Sequence, residues 1–362
     1  MSRHGSIAIA HEWLAARAGA EKVFEALAEA YPSADLYALT REPGVPFDFG
    51  GRDVRTTFLD HESLRQRRDL TLPLMPAAWR LLGARSSYDT VITSSLACAK
   101  GFAPGRSATH YCYCHAPMRY AWQPEIDRRS HPAGPLVDVG LKWLRRWDRR
   151  SADWVDSFAA NSTAVRDRIR DFYDRDAEVI HPPVDTEFFT PDADAPKGEP
   201  YVFAISRFIA YKRTDLAIEA ATRAGLPIVV AGSGPLEDEL RATAERVGAD
   251  ARFEIQPSDE RLRELYRGAA VLVFPALEDL GMIPVEAQAC GTPVVGLDEG
   301  GTRDTVVDGV TGIRVKEQTV DAFDEAIRAV VASPPDPAAC RAHAETFSRA
   351  GFIQRVLEWV KP

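Results

Sequence analysis

The sequence has no run approaching the 18 apolar residues that a membrane-spanning helix needs, and no apolar segment near its start that resembles a signal peptide. It also lacks a metal-type C-x2-C pair, and its cysteines are few, odd in number and scattered, which argues against a disulfide framework. They are Cys98, Cys112, Cys114, Cys290 and Cys340. We therefore expect a cytoplasmic protein in a reducing compartment, with the inner face of the membrane as a further location to test.

Recognisable nucleic-acid motifs are absent as well, and the formal net charge is −9 over 362 residues, so no nucleic-acid partner is expected. The charge is unevenly distributed, because residues 51–150 carry 17 basic against 9 acidic side chains. A basic region on an acidic protein indicates a surface for anionic partners. The apolar content of 45% is ordinary for a soluble enzyme, and the length allows two domains.

Short apolar runs alternate with helical patterns in both halves of the chain, which predicts an α/β fold with two Rossmann-like, doubly wound parallel-sheet domains. Five prolines between residues 182 and 200 mark the clearest linker. We predict a first domain over 1–182, a linker over 183–199 and a second domain over 200–345. A helix over about 346–362 is expected to pack back on the first domain.

The segment EDLGMIPVE follows a short apolar run and leads into a helical pattern, so its two glutamates bracket a strand-to-helix crossing. Such crossings lie at the carboxyl edge of a parallel sheet, where ligands bind. Glu278 and Glu286 therefore suit hydrogen bonds with a polyhydroxylated ligand such as a sugar. The alternative is that Glu286 complements the helix N-terminus while Glu278 is a solvated loop residue.

Two cations and a glycine-rich turn follow neighbouring strands of the second half. Arg207 comes just after a predicted strand, Lys212 follows five residues later, and Gly232 and Gly234 close the next strand. Together they suit a diphosphate, which guanidinium and ammonium groups bind well. Surface charges at a helix start are the alternative for both cations.

In the first half, His115 ends a predicted strand and is followed by Arg119 and Trp122, so it points to the same type of sheet edge. The alternative for His115 is a hydrogen-bonded loop residue. Gly19 precedes a helical pattern, where backbone amides at a helix N-terminus suit a phosphate, although a plain loop explains it equally well. Residues 141–154 interleave tryptophan with arginine, which fits either an anionic membrane surface or a buried tryptophan stripe with a solvated arginine face.

Four motifs in this order and spacing resemble the retaining glycosyltransferases of family 4, which have the two-domain GT-B fold. They are SRFIAYKRTDLAIEA, AGSGP, EDLGMIPVEAQACGTPVV and GGTRDTVVDGVTG. The segments HEWLAARAGAEK and CYCHAPMRYAW are similar to those of the mannosyltransferase-like branches. The resemblance covers most of the chain and implies that two domains face a central cleft, the first for the acceptor and the second for the donor.

The resemblance implies a role for each candidate residue. Glu278 would contact donor sugar hydroxyls, Glu286 would hold the nucleotide ribose, and His115 would lie beside the transferred sugar. Arg207 and Lys212 would contact the leaving diphosphate, and Arg119 and Trp122 would contact the acceptor or the sugar. The remaining implied donor contacts are Gly19, Gly232, Gly234, Gly281, Met282 and Ile283. The sequence departs from the family pattern at Ala18, Leu280 and Asp304, which affects only the finer donor contacts.

We therefore predict a retaining, metal-independent hexosyltransferase of polysaccharide biosynthesis that moves mannose from GDP-mannose to a lipid-linked or cell-envelope glycan. A nucleotide-diphosphate sugar is the expected co-substrate, with no cofactor and no metal, and the acidic DAD at 192–194 is interpreted as a solvated loop. Peripheral contact with an anionic membrane is a separate prediction. The alternatives are a UDP-sugar donor with a small-molecule acceptor, a GT-B sugar-nucleotide epimerase or hydrolase, and a non-catalytic sugar-nucleotide-binding protein.

Overall fold

The computed structural model describes residues 6–16, 18–65, 71–84, 87–102, 108–123, 135–192 and 198–361, except the side chains of 135–137. The chain divides into two compact units. Unit 1 comprises the chain up to Pro183 together with the chain from Ala350 onward, and unit 2 comprises Val184–Arg349. Each unit holds one parallel sheet with helices, so the predicted fold class is confirmed.

The strands of unit 1 are β1 (Ile7–Leu14), β2 (Asp35–Arg41), β3 (Val54–Thr56), β4 (Thr90–Ser95), β5 (Thr109–Cys114), β6 (Ser157–Ala160) and β7 (Ala177–Val179). They pair in parallel in the order β3-β2-β1-β4-β5-β6-β7. The apolar run IAIA of β1 is buried on both faces, as expected for a central strand of a parallel sheet. From the sequence, the apolar segment SIAIA predicts a strand over residues 6–10 only. The observed strand continues to Leu14, because the polar side chains of His11 and Glu12 find partners inside the unit.

The described helices in the first 183 residues of unit 1 are α1 (Gly19–Ala30), α2 (Glu62–Arg65), α3 (Met75–Gly83), α4 (Arg119–Trp122), α5 (Pro135–Ala152) and α6 (Thr163–Tyr173). The helix α6 begins where the Ser162 hydroxyl accepts a hydrogen bond from the Val165 amide at 3.1 Å, which is a typical N-cap.

The strands of unit 2 are β8 (Val202–Arg207), β9 (Ile228–Ser233), β10 (Ala251–Ile255), β11 (Val271–Phe274), β12 (Val294–Leu297) and β13 (Gly312–Val315). They pair in parallel in the order β10-β9-β8-β11-β12-β13. All of these except β13 correspond to strands expected from the apolar runs of the second half.

The helices of unit 2 are α7 (Thr214–Ala224), α8 (Glu237–Val247), α9 (Asp259–Gly268), α10 (Met282–Ala289), α11 (Thr302–Thr305), α12 (Val320–Ala332) and α13 (Pro337–Glu345). Side-chain oxygens of Ser258 and Thr319 cap α9 and α12 by accepting backbone N–H bonds. Residues 184–192, within the predicted linker, belong to unit 2, since Val184 and Phe189 are buried in its core.

The last helix, α14 (Arg349–Trp359), returns the chain to unit 1. Its buried residues Phe352, Val356 and Trp359 join the cluster that covers one face of the unit 1 sheet. Two aromatic contacts fix it there, because Trp359 packs edge-on against Tyr111 and Phe352 packs edge-on against Tyr113. The C-terminal helix is therefore an integral part of the unit 1 core.

Candidate active site

Each sheet has one point at which its strand order reverses, and ligands of open α/β sheets bind outside the carboxyl ends of the strands at that point. In unit 1 the reversal lies between β1 and β4, and in unit 2 it lies between β8 and β11. Gly19 follows β1, and Arg207 and Glu278 lie at the ends of β8 and β11. His115 and Gly234 follow β5 and β9, which are the next strands outward from these pairs.

In unit 2, the loop 275–281 connects β11 to α10 and contains Glu278. Gly281 precedes the helix with a φ of +80°, a conformation that other residues rarely adopt, and an added Cβ would lie 3.0 Å from the Phe274 ring. The loop therefore turns sharply from the strand into the helix. Met282 and Ile283 open α10, so their N–H groups stand at a helix N-terminus without intrahelical partners.

A glycine pair that the sequence reasoning assigned no role holds this loop. The Gly301 N–H donates to the Glu278 carbonyl at 2.9 Å. A Cβ on Gly301 would lie 2.1 Å from Leu280 Cα, and one on Gly300 would lie 2.3 Å from the Glu278 carbonyl oxygen. Only glycine permits so close an approach of two backbones, and the GG of the GGTRD motif is the signal that marks it in the sequence.

Lys212 and Glu278 form an ion pair at the reversal point of unit 2. Lys212 ends a short 3-10 turn (Ala210–Lys212) after β8 and is buried, while the side chain of Glu278 is 18% exposed. The ammonium also lies 5.1 Å from the centre of the Tyr211 ring. Both charges are thus compensated within the protein, and a ligand diphosphate or sugar hydroxyl entering here meets two groups that already bind each other.

Arg207 is the last residue of β8 and is exposed. Its guanidinium donates to the Tyr211 hydroxyl at 3.4 Å, and no carboxylate of the described chain forms an ion pair with it. Tyr211 therefore lies against both predicted cations. Arg207 supplies an uncompensated positive charge three residues before the 3-10 turn that carries Lys212.

Gly232, near the end of β9, and Gly234, in the turn that follows, have φ values of +129° and +157°. A Cβ on Gly232 would lie 1.9 Å from the Ser206 carbonyl oxygen, and one on Gly234 would lie 2.6 Å from that of Phe208. The turn thus packs directly on the chain leaving β8. This packing alone explains both glycines, so their contact with a phosphate stays a prediction.

Glu286 lies in α10 and is buried. Its carboxylate accepts a hydrogen bond from the Tyr266 hydroxyl at 3.0 Å. Burial, and then the charge of Glu286, raise the pKa of Tyr266 well above its usual range, so this hydroxyl remains a donor. The residue is therefore more than an exposed complement to the helix N-terminus, and its contact with a ribose stays a prediction.

In unit 1, His115 follows β5 and is buried. Its N–H donates to the Ser95 carbonyl at 2.9 Å, and its carbonyl accepts from Asn161 Nδ2 at 3.0 Å. Its ring Nε2 lies 2.8 Å from Ser94 Oγ. Burial, and to a smaller extent the nearby His11 ring, lower the pKa of His115 to about 3, so the ring is neutral at physiological pH.

Glu12 is a buried carboxylate that the sequence analysis did not assign to a site. It accepts hydrogen bonds from the amides of Leu96, Ala97 and Ala99 at 2.6–2.9 Å. Burial raises its pKa, and the three N–H donors oppose that increase. Glu12 therefore fixes the chain that follows β4 to β1, next to the reversal point of this sheet.

Trp122 ends α4 and has structural partners. Its indole Nε1 donates to Asp148 Oδ2 at 2.7 Å, and its ring stacks on Phe172 with 4.5 Å between ring centres. Asp148 is fully buried, forms an ion pair with buried Lys100, and accepts from the Tyr173 hydroxyl at 2.6 Å. The predicted acceptor contact of Trp122 stays a prediction, as does that of Arg119 at the start of α4.

Helix α5 carries the interleaved tryptophan and arginine residues. Its buried face presents Leu144, Asp148 and Ser151, whereas Trp143 is 47% exposed. The side of the helix exposed to solvent also carries Lys142, Arg146, Arg149 and Arg150. A fully buried tryptophan stripe is therefore wrong. Across the described residues, no helix has the length and apolar character required to cross a membrane.

Gly19 is the first residue of α1, as predicted, and its amide lies at the N-terminus of a helix of 12 residues. The preceding residue, Ala18, has no side-chain cap, so the first amides of α1 are not satisfied by a cap. Arg17, in the same loop, lies outside the described residues, as do Ala193 and Asp194 of the DAD segment.

Two family models match the chain. The model for Glycosyltransferase Family 4 matches residues 17–188, and the model for glycosyl transferases group 1 matches residues 185–347. The first match falls mainly on unit 1 and the second on unit 2. They agree with the resemblance drawn from the motifs at the level of a glycosyltransferase.

Curated relatives are named D-inositol 3-phosphate glycosyltransferase. The protein from Mycobacterium avium (strain 104) is 32% identical over 249 residues, which cover 62% of this chain and 57% of that protein. The protein from Mycobacterium bovis (strain BCG / Pasteur 1173P2) is 33% identical over 245 residues, which cover 60% of this chain and 49% of that protein. The chain thus spans about half the length of these relatives. Neither name specifies mannose.

Solved structures of similar fold include HepE from Anabaena in complex with UDP and glucose, with a TM-score of 0.73 and 18% identity over 98% of this chain and 99% of that one. Sucrose-phosphate synthase from Thermosynechococcus elongatus has a TM-score of 0.73 and 20% identity over 97% of each chain. At these identities the likeness establishes the GT-B fold and nothing finer.

Proposed function

The two family matches indicate a glycosyltransferase of the GT-B type, and on that premise we propose that this protein transfers a hexose from a nucleotide-diphosphate sugar to an acceptor hydroxyl. The observation that carries the proposal is the Lys212–Glu278 pair at the strand reversal of unit 2, with Arg207 exposed nearby. The proposal assigns the diphosphate to the Lys212 ammonium and the sugar hydroxyls to the Glu278 carboxylate, and these two groups contact each other.

The proposed reaction breaks the bond between the anomeric carbon and the diphosphate oxygen and forms a bond from that carbon to the acceptor oxygen. The acceptor oxygen attacks on the face from which the diphosphate departs, so the anomeric configuration is retained without a protein nucleophile. The departing diphosphate takes the proton of the acceptor hydroxyl. Lys212 and Arg207 stabilise the negative charge that develops on the leaving group. We propose that these cations make the transfer independent of a metal.

The donor is proposed as a nucleotide-diphosphate hexose. GDP-mannose remains our prediction from the motif resemblance, and a UDP-sugar is the alternative, because the names of the relatives state neither base nor sugar. A panel of UDP- and GDP-hexoses, with transfer followed by mass spectrometry, distinguishes them. Equal rates with every donor would contradict a specific sugar site.

Two acceptor classes are proposed. A lipid-linked or cell-envelope glycan follows from the basic character of residues 51–150. A small phosphorylated polyol is favoured by the relatives, which are named as glycosyltransferases of D-inositol 3-phosphate. Offering D-inositol 3-phosphate and a membrane lipid extract in parallel identifies which class accumulates the transferred sugar.

Peripheral contact with an anionic membrane is a further part of the proposal. It is supported by the exposed side of α5, where Trp143 stands among basic side chains. Replacing Lys142, Arg146, Arg149 and Arg150 by glutamine should abolish flotation with anionic vesicles at low salt. A matched variant replaces Arg223, Arg241, Arg246 and Arg328, which are exposed arginines of unit 2, and should float like the wild type.

The central test compares transfer by the wild type with transfer by Lys212→Ala. Removing one charged contact to a leaving group costs roughly 3 kcal/mol, or about a hundredfold in rate. Arg223→Ala removes a surface cation of the same unit and should leave transfer unchanged. An epimerase or hydrolase would consume donor without acceptor, and a binding protein would bind donor without consuming it, so either result replaces the proposed transfer.

A further inference from the structure

A single hydroxyl connects two buried histidine rings in unit 1. Ser94 Oγ, on β4, lies 3.0 Å from His11 Nδ1 and 2.8 Å from His115 Nε2. His11 is on β1, the neighbouring strand, so the contact spans the point where the strand order reverses. The His11 ring also stacks on Phe24 with 5.2 Å between ring centres, which fixes its plane.

A serine hydroxyl has one hydrogen, so it donates to one ring nitrogen and accepts from the other. Both rings are neutral at physiological pH, because burial lowers the pKa of His11 to about 4 and that of His115 to about 3. Either His11 Nδ1 or His115 Nε2 therefore carries a hydrogen, but not both. The tautomers of His11 and His115 are coupled through Ser94.

The surroundings of His11 decide whether the hydrogen lies on His11 Nδ1 or on His115 Nε2. His11 Nε2 is buried and has no hydrogen-bond partner in the described part of the chain. A buried N–H without an acceptor is rarer than a buried acceptor without a donor, which favours a bare Nε2 and a hydrogen on Nδ1.

We propose that His11 and Ser94 are positioning residues that set the tautomer of His115. His11 donates from Nδ1 to Ser94 Oγ, and Ser94 donates to His115 Nε2, so His115 carries its hydrogen on Nδ1. That nitrogen has no hydrogen-bond partner among the residues the structure describes. His115 is thereby presented to a ligand as an uncharged N–H donor, which suits a sugar hydroxyl or another ligand oxygen. Its use in sugar transfer rests on the proposed function, whereas the tautomer itself does not.

The direct test is nitrogen-15 NMR of the full chain with labelled histidine. We expect the wild-type His115 to carry its hydrogen on Nδ1, and Ser94→Ala to shift it toward Nε2, the form that a histidine side chain prefers in water. The matched control is Ser95→Ala, because the adjacent Ser95 hydroxyl contacts Glu12 at 3.3 Å and no histidine ring. A wild-type His115 with hydrogen on Nε2 would overturn the proposal, as would equal shifts in both serine variants.

Variants of His11 test the same coupling without altering Ser94. His11→Asn retains an N–H group near the position of Nδ1 and should keep the His115 tautomer, whereas His11→Leu should lose it. If Ser94→Ala does not fold, these variants and the wild-type spectrum still decide the question. A His115 tautomer unchanged in His11→Leu would contradict the proposal.

The kinetic readout separates this inference from the proposed function. Loss of one neutral hydrogen bond should lower kcat roughly five- to tenfold in Ser94→Ala with KM little changed, and His11→Asn should retain most of the wild-type rate. If no sugar is transferred by the wild type but the tautomers are as expected, the proposed function fails and the positioning role stands. Wild-type rates in Ser94→Ala with an altered tautomer would overturn the kinetic role alone.

Discussion

Lys212 and Glu278 lie 66 positions apart in the sequence and form an ion pair where the strand order of unit 2 reverses. A diphosphate that binds Lys212 competes with the Glu278 carboxylate. We therefore expect Glu278→Gln to tighten the binding of a free nucleoside diphosphate by roughly tenfold, about 1.4 kcal/mol, while lowering sugar transfer. Isothermal titration calorimetry with UDP and GDP measures the first effect.

The control for this variant is Asp215→Asn, which removes a nearby carboxylate that pairs with the half-buried Arg213 at 3.3 Å. It should change neither affinity nor transfer. Weaker diphosphate binding by Glu278→Gln would mean that the carboxylate holds Lys212 in place for the ligand.

Glu286 is predicted to hold the ribose, and its hydrogen bond with Tyr266 provides a way to separate that role from packing. Glu286→Ala should weaken nucleotide binding about tenfold and also cost roughly 1–3 kcal/mol of stability, because the buried Tyr266 hydroxyl loses its acceptor. Tyr266→Phe removes the same hydrogen bond and should leave nucleotide affinity within about threefold of the wild type. Equal losses of affinity in both variants would assign Glu286 a packing role.

The buried pair of Lys100 and Asp148 should dominate the stability of unit 1. Lys100→Met leaves the Asp148 carboxylate buried without its cation, and we expect a loss of roughly 3–5 kcal/mol in the free energy of unfolding. All seven tryptophans belong to unit 1, so urea denaturation followed by tryptophan fluorescence reports on that unit alone. The exposed pair of Arg170 and Asp176 gives the comparison, and Arg170→Met should leave the urea midpoint almost unchanged.

Acid should destabilise unit 1 through its buried histidines. Burial lowers the pKa values of His11 and His110 to about 4 and that of His115 to about 3. The unfolded chain, with histidine pKa values near 6.5, then binds more protons, so stability falls as the pH drops from about 6.5 toward 4. Denaturation at pH 7.5 and pH 5 should show a loss of several kcal/mol. His115→Gln should reduce the loss, and replacement of the exposed His61 should not.

Gly301 offers a steric test of the loop that carries Glu278. Its φ is ordinary, but a Cβ would lie 2.1 Å from Leu280 Cα, so Gly301→Ala must displace the loop. We expect at least a roughly tenfold loss in donor binding, comparable to the loss of a charged contact. Gly198→Ala, at a position with nothing within 4 Å, should bind donor normally.

The sequence allowed the two parallel sheets to be predicted, because buried strands and amphipathic helices alternate with recognisable periods. It also placed His115, Arg207 and Glu278 at strand ends, since each follows an apolar run. The partners of these residues were not predictable in the same way. Ser94 meets His115 because β4 and β5 are adjacent, and Glu278 meets Lys212 because β8 and β11 are adjacent, which depends on strand order.

Trp122 shows a second reason why side-chain partners could not be predicted from the sequence. Its position near His115 indicated a ligand contact, but its indole N–H required a buried acceptor, and Asp148 provides one from the arginine-rich helix α5. From the sequence alone, a single aspartate among many arginines is expected to belong to a solvated face of the helix. Its burial with Lys100 arises only when three separate segments pack together, which periodicity does not reveal.

The position of α14 has a consequence for biosynthesis. Unit 2 is formed by one continuous stretch of chain, whereas unit 1 needs Phe352, Val356 and Trp359 to complete its core. During translation the residues of unit 2 all emerge from the ribosome before those three. Unit 2 is therefore able to finish folding first, and the part of unit 1 synthesised earliest waits longest for α14. Until then α1 covers its face of the sheet without the contribution of Phe352, Val356 and Trp359.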